Sequence, residues 1–359
     1  MKKNVRKLPW QDKVCNPAQL GGIETSVLDD GPGRGTRVAW VNTGSGLRYK
    51  VAIDRGMDIV EAFYNEHSLA WLSHGGLTAS RPDANQGLEW LYTFPGGLLT
   101  TCGLSHVGGP ETDEFGSRGL HGRVSNLPAA VEVIIQPELA AARLDFGIAG
   151  VVKESRVFGP CLELRRSICG RLGEGAIYVH DVVTNCGSQS VPHMLLYHCN
   201  FGYPLVDEGT EILWRGVCQS RGLAMDNAIF KDGADYRRCR RPLAAHRGGG
   251  EACGFIDARA DRAGMVTAGL HNRKLGLALM LRYRKKEFPC LANWQHWGIG
   301  DYVTALEPGT NFPIGQGAAR RQKKLIFLEP GESRTYQLEM HVLTAKRDIR
   351  EFVAAVAGQ

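Results

Sequence analysis

The sequence predicts an all-β protein built as one large sandwich, and three observations carry that reading. From Thr36 onward, apolar and polar residues alternate over short runs, the period of half-buried strands. Turn-forming residues separate the runs, and glycine is abundant at 45 of 359 residues. Helical spacing is convincing in only one place, at the C-terminus. Many short strands with few helices define a sandwich, and no internal repeat or shift in composition divides the chain.

Taken in order, residues 1–35 read as an irregular lead-in ending in Gly31-Pro32-Gly33-Arg34-Gly35. That segment lacks the Gly-Lys-Ser/Thr ending of a phosphate loop, and a strand pattern rather than a helix follows it. Strands are expected at Thr36–Val41, Arg48–Ile53, Ile59–Phe63 and Leu69–Leu72. Residues 74–97, with Pro82, Trp90 and Pro95-Gly96-Gly97, break the rhythm. They read as a long loop with a short helix, the kind of segment that builds sites. Residues 103–126 are rich in Gly, His and charge without a clear period. Strands resume at Ala141–Ile148, Arg156–Phe158, Leu162–Cys169, Ala176–Thr184 and Pro192–Cys199. Residues 220–253 read as an elaborated basic loop. Further strands follow at Ala268–His271, Leu275–Tyr283, Leu291–Trp297, Val303–Leu306, Lys324–Leu328 and Tyr336–Val342. Ile349, Phe352, Val353 and Val356 then place one apolar face on a terminal helix. The expected organisation is a lead-in over 1–35, the sandwich over 36–343, and a helix over 344–359 packed on the same domain.

The formal charge of +6 is mild for this length. Arg237, Arg238, Arg240 and Arg241 cluster, but no nucleic-acid-reading pattern accompanies them, so they read as a solvated loop. Met1 to Val14 carries basic residues without an apolar stretch, so a secretory leader is not expected. No apolar run is long enough to span a bilayer. The ten cysteines show no C-x-x-C pair and no regular framework. Reduced thiols and a cytoplasmic location are expected, with no nucleic-acid or membrane partner. A homodimer is compatible with the sequence.

Ionisable residues concentrate in four places. Arg55 and Asp58 lie between two strands, where they serve a turn or bind a polyol. His106, Glu111, Asp113, Glu114, Arg118, His121 and Arg123 crowd one loop. His198 ends the apolar row Met194, Leu196, His198, which shares one face of a strand. The strand there gives way to an aromatic loop, a position suited to a rigid group at a pocket mouth, and histidine titrates near neutrality. Asn293, Gln295, His296 and Trp297 precede Glu307, which ends an apolar strand before Pro308-Gly309. Trp294 and Trp297 favour a pocket, because sugars stack their C–H faces on aromatic rings. His106, His121, His198 and Glu111 form an N/O set for a metal by ligand type alone. No local metal motif supports them, and neither metal nor cofactor is expected.

Several segments together resemble the galactose mutarotase-like superfamily, the aldose 1-epimerases. They are Arg55-Gly56-Met57-Asp58-Ile59, Leu120-His121-Gly122-Arg123, the run from Leu196 to Leu205, and Leu306-Glu307-Pro308-Gly309-Thr310-Asn311. The closing Leu328-Glu329-Pro330-Gly331-Glu332-Ser333 adds to the likeness, which covers residues 36–343. The resemblance implies a single β-supersandwich with an open sugar-binding cleft. It implies His198 as general acid, Glu307 as general base and His121 as a substrate-binding histidine. Arg55 or Arg123 fills the role of the binding arginine, and Asp257 that of the binding aspartate. The segment after His198 departs from the family pattern in its Cys199-Asn200 and Gly202-Tyr203-Pro204.

Ring opening needs the anomeric hydroxyl to lose a proton while the ring oxygen gains one, so one acid and one base suffice. We expect a free-sugar anomerase in which Glu307 is ionised and His198 is charged. His106, His121, Arg55, Arg123, Asn200, Gln295 and Asp257 are the candidate sugar-binding residues, with Trp297 as a stacking face. Two other readings use the same cleft. One is an isomerase, epimerase or lyase working through an enediol; the other is a carbohydrate-binding protein without turnover.

Overall fold

The alternation of apolar and polar residues becomes, in the computed structural model, three large antiparallel sheets. The structure describes residues 10, 12–231 and 235–357. An eight-stranded sheet runs in the order Glu211–Trp214, Met265–Asn272, Leu277–Arg284, Ser333–Leu343, Ala176–Asn185, Cys161–Arg171, Asp145–Ser155, Ala129–Ile135. A second sheet runs Gly216–Ser220, Ala252–Ala258, Cys290–Trp297, Tyr302–Gly309, Val191–Phe201, Ile326–Leu328, and Thr100–Leu104 also pairs with Val191–Phe201. A five-stranded sheet spans Gly22–Val27 to His67–Ser68. Tyr49 and Ile59 of the last, Phe146, Leu164 and Leu338 of the first, and Tyr197, Leu291 and Leu306 of the second share one buried core. The predicted all-β supersandwich is the fold observed.

The terminal helix covers Lys346–Ala357 and seats Ile349, Phe352 and Val356 against Ala278, as their spacing dictates. Two local expectations are corrected. The lead-in is not wholly irregular, since Gly22–Val27 pairs along its whole length with Arg37–Asn42. Its residues are half-buried or exposed on both faces, so no apolar alternation marks it. Arg156–Phe158 is a turn, with Phe158 exposed at φ 57°, while the preceding strand runs unbroken from Asp145 to Ser155.

Both faces of Val191–Phe201 are covered, and this strand positions the site. Leu195, Tyr197, Cys199 and Phe201 point into the main core. Met194 and Leu196 point the other way, into a smaller apolar cluster with Trp90, Cys102, Val107 and Ala319. His198 continues that second row.

Behind the strand lies a buried charge network. Arg166 is fully enclosed and meets Asp181 through Nε at 2.9 Å and Nη2 at 2.6 Å. Its Nη1 donates to Asp58 Oδ1 and to the Gly56 carbonyl, both at 3.0 Å. Tyr197 donates to Asp181 at 2.5 Å, and Thr101 donates to Asp58 through both its hydroxyl and its backbone N–H. The network ties the five-stranded sheet, the eight-stranded sheet and the strand bearing His198 at a single point.

Candidate functional site

Register brings the two central residues together. Leu196 pairs with Gly309 and Cys199 with Leu306, so His198 falls directly across from Glu307 on the neighbouring strand. On an antiparallel sheet, directly opposed residues project from the same face. His198 Nε2 lies 3.3 Å from Glu307 Oε1. Both side chains are almost enclosed, at 7% and 3% exposure. His198 Nδ1 and Glu307 Oε1 are buried and make no hydrogen bond within the protein. Buried polar atoms are ordinarily satisfied, so two such atoms on adjoining groups make the pair a candidate site.

Aromatic rings surround the pair. Ring centroids of Phe94, Trp294, His121 and Trp90 lie 5.3, 5.5, 5.9 and 6.4 Å from that of His198. Trp71 lies edge-on to Trp294 at 6.3 Å and tilted against Phe94 at 5.9 Å. Trp71, Phe94 and Trp294 remain half-buried on the side of the pair nearest solvent. Trp90 and Phe94 come from the long loop over 74–97. His121 holds φ 57°, a conformation uncommon outside glycine, and such strain concentrates at functional positions. Its backbone N–H donates to Gly108 and its carbonyl accepts from Gly103, which fixes the ring toward His198.

Burial sets the protonation of the pair. Desolvation, helped by the nearby Glu251 carboxylate, pushes the Glu307 carboxyl up to about 8. Burial pulls the His198 imidazole down to about 4. Burial and the neighbouring His198 and His106 hold His121 well below the usual histidine value. Between pH 4 and 8 the free site therefore holds a protonated carboxyl beside a neutral imidazole. The sequence led to the expectation of an ionised Glu307 beside a charged His198; desolvation of both groups instead favours the uncharged pair. The proton count is the same, but a dry site favours the uncharged arrangement.

The structure places the other predicted residues as follows. Arg55 is spent on the scaffold: it donates to the carbonyls of Ser125 at 2.6 Å, Thr78 at 2.9 Å and Thr93 at 2.7 Å, and to the Thr78 hydroxyl. It pins the loop carrying Trp90 and Phe94 instead of facing a ligand. Asn200 Nδ2 donates to the carbonyls of Gly96, Gly97 and His198, closing the same loop onto the sheet. Gln295 is enclosed between the Tyr236 carbonyl, Asn293 and the Trp297 indole N–H. Trp297 is buried in the main core. Gln295 and Trp297 have the wrong parity for the cleft, and Trp294 is the tryptophan that faces it. Asp257 sits exposed at the far end of its strand, paired to Lys285 at 2.6 Å.

His106 is buried with Nε2 bonded to the Gly109 carbonyl at 2.9 Å, bracing the loop behind His121. Arg123, half-buried, keeps an unpartnered Nε two residues beyond His121. Among the described residues, no group of three His, Cys, Asp or Glu is placed to hold a metal ion. A hollow of about 560 Å³, lined in part by Asn16, Ile23, Trp40, Arg48 and Gln136, shares no residue with the pair. There, Gln136 and Arg48 are bonded to backbone of Ile23 and Asn65.

Trp71, Phe94, Glu251 and Arg221 were not singled out from the sequence, and Trp90 was named only as part of the site-building loop. Loop tryptophans beside a Pro-Gly-Gly turn were the available signal for Trp90 and Phe94. Glu251, beside a glycine run, gave none.

This sandwich, with its enclosed His–Glu pair on one sheet face, has the fold of the galactose mutarotase-like proteins. The chain belongs to the family described as a domain of unknown function, DUF4432, whose model matches residues 33–342. A putative aldose 1-epimerase from Klebsiella pneumoniae superposes with a TM-score of 0.83 at 22% identity, covering 95% of this chain and 90% of that one. A galactose mutarotase-like protein from Clostridium acetobutylicum gives 0.62 at 11% identity, covering 91% and 100%. A galactose 1-epimerase from Lactobacillus acidophilus gives 0.57 at 12% identity, covering 89% and 98%. At these identities the likeness is one of fold. No curated protein matches the chain.

Proposed function

We propose that the protein binds a free sugar and interconverts its anomers by acid–base ring opening at His198 and Glu307. The observation that supports this most is the 3.3 Å approach of His198 Nε2 to Glu307 Oε1, two enclosed groups whose Nδ1 and Oε1 atoms make no hydrogen bond within the protein. O1 and O5 of a pyranose are both bonded to C1, so a pair of adjacent groups serves both oxygens at once. The sugar displaces water from the aromatic mouth and lays its C–H face on Trp294.

The proton moves from Glu307 to His198 within the pair, with no external donor. The Glu307 carboxylate then takes the O1 proton as the imidazolium gives its proton to O5. The C1–O5 bond breaks and C1=O1 forms. Rotation about C1–C2 exposes the other carbonyl face, and the reverse transfers restore both the ring and the pair. Acid–base help of this kind is worth roughly 10²–10⁴-fold, useful for a reaction that already proceeds in water.

Saturation-transfer NMR on a panel of aldoses and ketoses tests the reading. At least one sugar is expected to exchange anomers well above the buffer rate, and no acceleration across the panel would refute it. The pH profile follows from the shared proton. The rate is expected to hold between limbs near 4 and 8, falling below as His198 takes a second proton and above as the pair loses its only one. Trp294→Ala removes the stacking face. A lost aromatic contact of about 1–1.5 kcal/mol corresponds to a roughly ten-fold higher KM, with kcat less affected.

A further inference from the structure

Beside Glu307 stands a charged brace that the proton transfer does not use. Asp226 is fully buried and accepts from Arg221 Nε and Nη2, each at 2.9 Å, and from the backbone N–H groups of Leu223 and Cys253 at 3.0 and 2.9 Å. Arg221 Nη1 reaches on to Glu251 Oε1 at 2.8 Å. The other oxygen of Glu251 accepts the indole N–H of Trp294. Cys253 is paired in register with Trp294, and Trp294 with Ala305, two residues from Glu307, so the brace abuts the cleft face of the sheet. Two carboxylates and one guanidinium leave it one negative charge in excess.

We infer that Glu251 is a positioning residue: it aims the Trp294 ring at His198 and, with the Arg221 that Asp226 holds in place, sets the fixed charge beside the pair. His198 contacts Glu307 directly, while Glu251, Arg221 and the buried thiols of Cys102, Cys199 and Cys253 lie near enough to act on it through space. Burial raises the three thiols, leaving them neutral, so Glu251 and Arg221 supply the fixed charge. They act with opposite sign: the carboxylate opposes ionisation of Glu307 and the guanidinium favours it. Glutamine at 251 keeps an acceptor for the indole and removes only the charge, whereas alanine removes both.

The kinetic consequence rests on the proposed ring opening; the charge relation does not. The decisive experiment is a carboxyl ¹³C NMR titration of the full chain, with the Glu307 resonance assigned by its loss in Glu307→Gln. Glu251→Gln is expected to lower the Glu307 midpoint by about half a pH unit or more, and Arg221→Gln to raise it by a similar amount. Arg221→Lys, which keeps the charge, should restore it. An unmoved midpoint in Glu251→Gln, or shifts of the same sign in the Gln variants at both positions, overturns the charge role. In kinetics, Glu251→Gln should move only the alkaline limb, while Glu251→Ala should also raise KM as Trp294→Ala does. An unchanged KM in Glu251→Ala overturns the positioning role. Midpoints that shift as stated in a protein that exchanges no sugar would uphold the brace and refute the ring-opening proposal.

Discussion

Glu307→Gln is expected to slow anomer exchange by roughly 10²–10⁴-fold while sugar affinity stays within a few-fold of wild type. Glutamine fits the same space and keeps hydrogen-bonding capacity, but it neither accepts nor returns the proton. Initial rates by saturation transfer, with binding followed by tryptophan fluorescence, separate the two effects. A Gln variant with wild-type exchange removes Glu307 from the chemistry.

The same substitution carries a stability signature of definite sign. The folded protein holds the Glu307 proton up to about 8, against an ordinary value of 4.5. Across that window the native state binds more protons than the unfolded state, so this group's contribution to stability falls as pH rises. Glutamine removes the penalty. The variant should gain on wild type between pH 4.5 and 8, by on the order of a few kcal/mol at the upper end. The lowered His198 acts in both proteins and cancels from the comparison. Paired urea titrations at pH 5 and pH 8 measure the difference.

The second large effect lies in the core. Arg166→Met leaves Asp58 and Asp181 enclosed without their cation. Breaking a buried charge network by removing one partner costs about 3–5 kcal/mol, which is much of the stability of an ordinary domain. A fall in the urea midpoint at unchanged slope is expected. A loss below about 1 kcal/mol would show that the carboxyls are neutral or hydrated, and that the network does not anchor the strand carrying His198.

The fold was legible because alternation is local. Most long strands announce themselves through their own residues, and the terminal helix through Ile349, Phe352 and Val356, whereas Glu211–Trp214, Gly216–Ser220 and Ala252–Ala258 gave no such signal and the expected Leu69–Leu72 strand is only a pair of isolated bridges. Gly22–Val27 was not legible, because it is held mainly by pairing with Arg37–Asn42 and buries only Ile23 in part, too little for an apolar alternation. His198 and Glu307 stood out as ionisable residues ending apolar strands. That they lie opposite one another is a matter of register across more than a hundred residues, which no local pattern encodes. Gln295 and Trp297 show the cost of that gap. A one-residue change of parity turns a strand residue from cleft to core, and the cleft takes Trp294 instead. Arg55 and Asn200 misled for another reason. A buried polar residue beside a site looks the same in sequence whether it faces ligand or holds backbone carbonyls. The inverted protonation of the pair was likewise invisible, since it comes from the dryness of the assembled cleft.

Proton NMR in D₂O on a sugar that the protein turns over tests most directly whether the His198–Glu307 pair opens a ring. The account predicts fast exchange between anomers with every carbon-bound hydrogen retained, and exchange lost in Glu307→Gln. Progressive loss of the signal from the carbon next to the anomeric centre would contradict it, because that would mean proton removal from carbon and an enediol.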